Sequence, residues 1–147
     1  MDIRKDSRKL FEGLEIAENQ ALCDAWMNRY PTVSISFRQI DGLNFMDAYR
    51  QLVYEIALLY QKHTYLLDSQ AISNQEKSLF QQISDRKAEK TDVMRSIQFL
   101  TLLLNKHYNK KVILLIDEYD VPVAKANNNG YYAEMLDVMK GLMQALK

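Results

Sequence analysis

Val112-Ile113-Leu114-Leu115-Ile116-Asp117-Glu118-Tyr119-Asp120 is the stretch that decides the fold. Five branched aliphatic residues run unbroken into two adjacent carboxylates. Such a run predicts a strand buried on both faces, as in parallel sheets. Open α/β sheets bind ligands at the carboxyl ends of their strands. Asp117 and Glu118 stand at that end.

A second strand lies upstream. From Thr32 to Phe37 the residues alternate, with Val33, Ile35 and Phe37 on one face and Ser34 and Ser36 on the other. This pattern predicts a strand less completely buried than 112–116. The residues between the two strands carry helical patterns, so the strands pair in parallel through a helical crossover. The fold class is α/β: mostly helical, with a small parallel sheet whose strands lie near 32–37 and 112–116. The chain reads as a single domain, 1–147.

The crossover divides into about three helices. Asn44 caps the first, with Asp47 at its third position. Phe45, Ala48, Leu52, Ile56 and Leu59 form its apolar stripe, and the pattern runs to about Leu67. Asn74 to Asp85 forms a shorter helix, and Arg86 to Lys90 is a charged, solvated linker. Thr91 caps a helix from Asp92 to Tyr108, with Val93, Ile97, Leu100 and Leu104 on one face. Upstream of the first strand, Arg8 to Asn19 and Gln20 to Tyr30 read as helices, the second stopped by Pro31. Beyond Asp120, Val121-Pro122 reads as an extended exit. Ala126 to Gly130 reads as a flexible loop, and Tyr131 to Leu146 as a last helix with a Met-rich core stripe.

Composition narrows the function. Lysine plus arginine equals aspartate plus glutamate at 19 each, so no basic field for nucleic acid is present. Hydrophobic residues reach 48%, which excludes a disordered chain. No apolar run spans a membrane, and the N-terminus has no signal-peptide core. The single cysteine, Cys23, forms no internal disulfide and fits a reducing, cytoplasmic compartment.

Two readings of the carboxylates stand side by side. An acidic residue after a buried strand can simply cap a loop or helix. It can also be a Walker B aspartate, which holds Mg²⁺ beside nucleotide phosphates. Asp117 fits the metal-binding role, and Glu118 fits the general base that activates water. The glycines are Gly13, Gly42, Gly130 and Gly141, and none opens a G-x-x-x-x-G-K-[ST] loop. The metal half of a nucleotide site is therefore present without the phosphate half. His63 and His107 read as surface helix residues, with no second His or Cys near either. Asp117, Glu118 and Asp120 form an acidic cluster of the kind hard cations prefer, and Asp120 also suits fixing the turn before Pro122. Tyr131-Tyr132 could stack on a base or anchor the preceding loop to the core.

Leu10-Phe11-Glu12-Gly13-Leu14-Glu15-Ile16, Pro31 to Phe37, Leu115-Ile116-Asp117-Glu118-Tyr119-Asp120-Val121-Pro122 and Gly130-Tyr131-Tyr132 together resemble the bacterial AAA-ATPase-like family, in that family's order. The resemblance implies a partial P-loop NTPase fold, with Asp117 as the Mg²⁺ ligand and Glu118 as the catalytic, water-activating residue. Family members commonly carry a Walker A loop just upstream of the L-F-x-G-L element, and many have a C-terminal PD-(D/E)XK nuclease-like domain. The chain is accordingly expected to be a fragment lacking Walker A. Mg²⁺ and ATP would act in the longer parent, and neither is expected to bind this chain tightly. Nuclease activity does not carry over. A helical protein–protein interaction module without nucleotide binding is the alternative. The two-sided aliphatic strand also leads us to expect a homo-oligomer, formed by edge pairing or by exchange of the last helix, and an unknown protein partner.

Overall fold

The structure is a computed structural model that describes residues 29–146. The expected helices at 8–19 and 20–30, Cys23 and the Leu10–Ile16 element lie in whole or nearly so outside the described residues.

Strand β1 (Thr32–Ser36) pairs in parallel with β2 (Ile113–Asp117). The register sets Val33 against Leu114, Ile35 against Ile116 and Ser36 against Asp117. Paired residues point to the same face of a sheet. Val33, Ile35 and Phe37 are buried in the main core, with Leu114 and Ile116 packed against it. The opposite face carries Ser34, Ser36, Leu115 and Asp117, all exposed, with Leu115 at 52%. The expectation that 112–116 is buried on both faces is thus corrected, as is the expected ranking of the strands: β1 is the more deeply buried. Parallel strands need cover on each face, and the described helices supply it on one.

The crossover holds α1 (Phe45–Gln61), α2 (Asn74–Ser84), α3 (Lys90–Met94) and α4 (Ser96–Tyr108). Asn44 caps α1 as its sequence suggests, its side chain accepting from the Asp47 amide at 3.0 Å. Ser73 and Glu76 form a capping box on α2. Helix α1 stops short of Leu67. The amides of Lys62 and His63 bond three residues back, and a 3₁₀ turn, Thr64–Asp68, follows. His63, expected at the surface, is 2% exposed there and lies 3.0 Å from the Tyr65 hydroxyl.

The helix expected over 92–108 is two helices that break at Arg95, and no side chain caps either start. At the break the Ser96 hydroxyl donates to the Val93 carbonyl at 2.6 Å, and the buried Tyr60 hydroxyl donates to the Ser96 carbonyl at 2.7 Å. Burial pushes the Tyr60 hydroxyl pKa well up. Side-chain bonds to backbone compete with the helical ladder in this way.

After β2 the chain forms α5 (Val121–Asn129) and α6 (Tyr132–Leu142), ending in a 3₁₀ turn, Met143–Leu146. The extended exit and flexible asparagine loop of the sequence reading are replaced by α5. Pro122 sits in its first turn, where a fixed φ favours helix and the missing N–H is not needed. Gly130, at φ 81°, caps the other end in the left-handed conformation. Pro122 and Ala126 anchor the helix by burial, which outweighs the weak helix propensity of three asparagines. Met135, Met139 and Leu142 are in the core as expected, whereas Leu146 is 61% exposed. Helices α5 and α6 pack on each other, and α6 also touches α1, α3 and α4.

Gly42 joins the loop after β1 to the far end of the chain. Its carbonyl accepts from the Asn129 side-chain amide at 3.0 Å and from the Tyr131 hydroxyl at 2.9 Å. Tyr131 therefore anchors this junction, 4% exposed, while Tyr132 remains 45% exposed. A Cβ at Gly42 would lie 2.5 Å from the Ala48 backbone nitrogen. Gly42→Ala is expected to cost about 1–3 kcal/mol by overpacking against backbone that cannot rotate away. Urea denaturation of the variant checks this, and an unchanged midpoint would show that the junction yields freely.

Candidate functional site

The site lies at the carboxyl end of the two-stranded sheet. Asp117 is the last residue of β2, and its carbonyl accepts from the Phe37 amide at 3.0 Å, extending the ladder one step past β1. That bond fixes the backbone, and the register directs the Asp117 side chain to the open face beside Ser36. A carboxylate here is hydrated and accessible, as a ligand for a diffusing cation must be.

Glu118 follows with φ at 54°, in the left-handed region. This conformation costs an L-residue with a Cβ roughly 1–2 kcal/mol. The strained residue ends the strand in a single step. The Glu118 carbonyl accepts from Val121 at 3.2 Å and the Asp120 carbonyl from Ala124 at 2.9 Å, so helix begins almost at once. Asp120 occupies the N-cap position of α5, but its side chain makes no capping bond. It does not fix the turn in the way its sequence position suggests.

Asp117, Glu118 and Asp120 do not converge on one point. Among the described residues no group of three or more His, Cys, Asp or Glu side chains is arranged to hold a metal. The left-handed step at Glu118 disperses what the sequence places in a row. An all-protein cage finds no support here. Mg²⁺ bound beside phosphate does not need such a cage. It keeps several waters and takes one or two carboxylates, the phosphates supplying the remaining oxygens. A single accessible carboxylate at Asp117 fits that donor set.

Ser36 and Arg38 join the site through the fold and were not among the sequence candidates. The Arg38 amide donates to the Ser36 hydroxyl at 3.4 Å, and Arg38 is exposed. Both line a groove of about 600 Å³ between β1 and α1, with Ser34, Gln39, Glu55 and Lys62. Only the parallel register, which brings Ser36 to Asp117, could have pointed to them.

The loop behind the site is braced. Lys125 of α5 pairs with Asp41 at 3.2 Å, and its hydrogen bond holds the Asp41 carboxyl below the usual range, helped by the Gly42 amide. The loop after β1 is thereby tied to α5.

Among the described residues no helix is long and apolar enough to cross a membrane. No curated protein and no solved structure matches the chain. A family model described as a predicted AAA-ATPase matches residues 2–147. With a match over nearly its whole length, and with Asp117 and Glu118 at the end of a parallel strand, the chain belongs to the AAA-ATPase-like family.

Proposed function

We propose that this segment supplies the acidic half of a Mg²⁺-dependent ATP-hydrolysing site, with Asp117 as the metal ligand and Glu118 as the base. One observation carries the reading: an exposed aspartate ends a parallel strand, and the glutamate after it is held in a strained left-handed turn. Strain of this kind concentrates at functional sites.

Asp117 offers its carboxylate from a fixed backbone position, its main-chain carbonyl accepting from the Phe37 amide. Bound Mg²⁺ would neutralise phosphate oxygens there. Glu118 offers an accessible carboxylate able to take a proton from water. Arg38, at the same end of the sheet, offers positive charge toward phosphate. The G-x-x-x-x-G-K-[ST] loop that cradles phosphate is not among these 147 residues, so ATP turnover is proposed for a protein that joins such a loop to this segment. The reading includes a cytoplasmic setting, supported by the single cysteine.

Mn²⁺ in place of Mg²⁺ tests the metal role in this chain directly. It is expected to broaden the amide NMR signals of Ser36, Phe37 and Glu118 first, more strongly when ATP is added. Asp117→Asn should remove the effect. Equal broadening in the variant would overturn the assignment and favour an interaction module with no nucleotide site.

A further inference from the structure

A groove of about 440 Å³ opens between α1 and the linker that follows α2. Met46, Tyr49 and Val53 of α1 and Ala88 of the linker form its apolar part, and Arg50 and Arg86 line it beside them. The nucleotide reading does not use it. Met46 lines this groove and Glu55 lines the one beside Ser36. Nine residues, or about two and a half turns, separate them, so the two grooves use opposite sides of α1.

Arg86 stands here against the preference of its backbone. The Arg86 amide donates to the Ile83 carbonyl at 3.1 Å and the Lys87 amide to the Gln82 carbonyl at 2.8 Å. These paired bonds close a helix through one left-handed residue, a place that glycine fills at no steric cost. Arg86 occupies it at φ 60°. What the arginine adds there is its side chain, whose guanidinium lies 5.7 Å from the centre of the Tyr54 ring.

The charge left over at the groove is positive. Asp85 also lines it, but its carboxylate accepts from the Gln81 side-chain amide at 3.1 Å. The Asp47 carboxylate, 3.8 Å from Arg50, accepts from the Asn44 side-chain amide at 2.8 Å. Among the described residues Arg86 and Lys87 pair with no carboxylate. An apolar surface between guanidinium groups suits a ligand that is apolar between carboxylates. Phosphate alone would leave Met46, Tyr49 and Val53 wet, and the charge balance of 19 to 19 provides no field for nucleic acid.

We propose that this groove docks an acidic segment of a partner protein, its carboxylates on Arg50 and Arg86 and an aliphatic or aromatic side chain between Tyr49, Val53 and Ala88. Met46, 51% exposed, offers a side chain that can repack around the guest. The inference stands apart from the nucleotide reading, since it draws on no residue of the sheet.

A pool of hexapeptides, Asp-Asp-x-x-Asp-Asp with x drawn from Leu, Ile, Phe, Met and Tyr, tests it by NMR on the isotope-labelled whole chain. The pool is expected to shift the amide signals of Tyr49, Val53 and Ala88 with an apparent Kd below about 1 mM. Arg86→Gly should raise that Kd about tenfold or more by removing a charged contact. Its urea midpoint should stay level or rise, because glycine suits the left-handed place, and lost binding is thus separated from lost folding. Arg50→Gln should weaken binding in the same sense, and a pool with lysine in place of aspartate should shift nothing. A pool that moves none of the three signals, or binding indifferent to Arg86→Gly, would overturn the proposal. So would sodium tripolyphosphate moving the same signals as tightly as the pool, since the groove would then hold a plain anion.

Discussion

Glu118→Gln is expected to lower ATP turnover by about 10²–10⁴-fold, the usual loss when a positioned base is removed. The comparison is made in a protein that presents this segment together with a phosphate-binding loop. The amide is nearly the same size as the carboxylate but cannot take a proton at neutral pH. It neither enlarges nor shrinks the left-handed turn at φ 54°, so the fold should be unaffected. Nucleotide binding should persist, because Asp117 keeps its charge and its place at the end of β2. The two effects separate when binding is measured by calorimetry and turnover by phosphate release. An unchanged turnover rate would make Glu118 a structural residue and return it to the capping role.

Phe80→Ala is expected to remove about 3–5 kcal/mol of stability, a large share of the roughly 5–15 kcal/mol typical of a domain. Phe80 is 1% exposed, and its ring centroid lies 4.8 Å from that of Tyr60. The substitution opens a cavity beneath α1 and α2 and removes the contact that holds the Tyr60 ring. The Tyr60 hydroxyl in turn satisfies the Ser96 carbonyl at the α3–α4 break. The damage should therefore extend from α2 to α4. Urea unfolding followed by circular dichroism measures it, and a loss below about 1 kcal/mol would show that the core closes over the gap.

Much of this architecture was legible in the sequence. The alternation of Val33, Ile35 and Phe37 with Ser34 and Ser36 named the buried face of β1 correctly. Asn44 and Asp47 announced their cap. The two strands pair in parallel, as their helical separation required. In β2, however, four aliphatic residues precede Asp117, and a uniform pattern carries no information about which face is covered. That came only from the register with β1. Helix α5 was missed because Asp120-Val121-Pro122 and three asparagines each favour turns locally. Burial of Pro122 and Ala126 decides against them. The buried position of His63 follows from a change of helix type after Gln61 that the apolar stripe does not record.

At the site, sequence supplied Asp117 and Glu118 as neighbours. It could not supply the handedness at Glu118, because glutamate has no preference for that region. Nor could it supply Ser36, distant in sequence and set against Asp117 only by strand pairing, or Arg38, whose amide bonds the Ser36 hydroxyl.

The pairing register of β2 bears on how such a chain can change over evolution. The long stretch from 37 to 112 turns through four helices before β2 begins, and residues gained or lost in its turns leave the strand register untouched. Within β2 the tolerance vanishes. A single residue gained or lost between Ile113 and Ile116 would rotate Asp117 from the open face to the core side and carry an aliphatic residue outward. Length variation should therefore accumulate in the crossover and stop abruptly at the strand, so that the span from β1 to Asp117 can drift while the parity of β2 cannot.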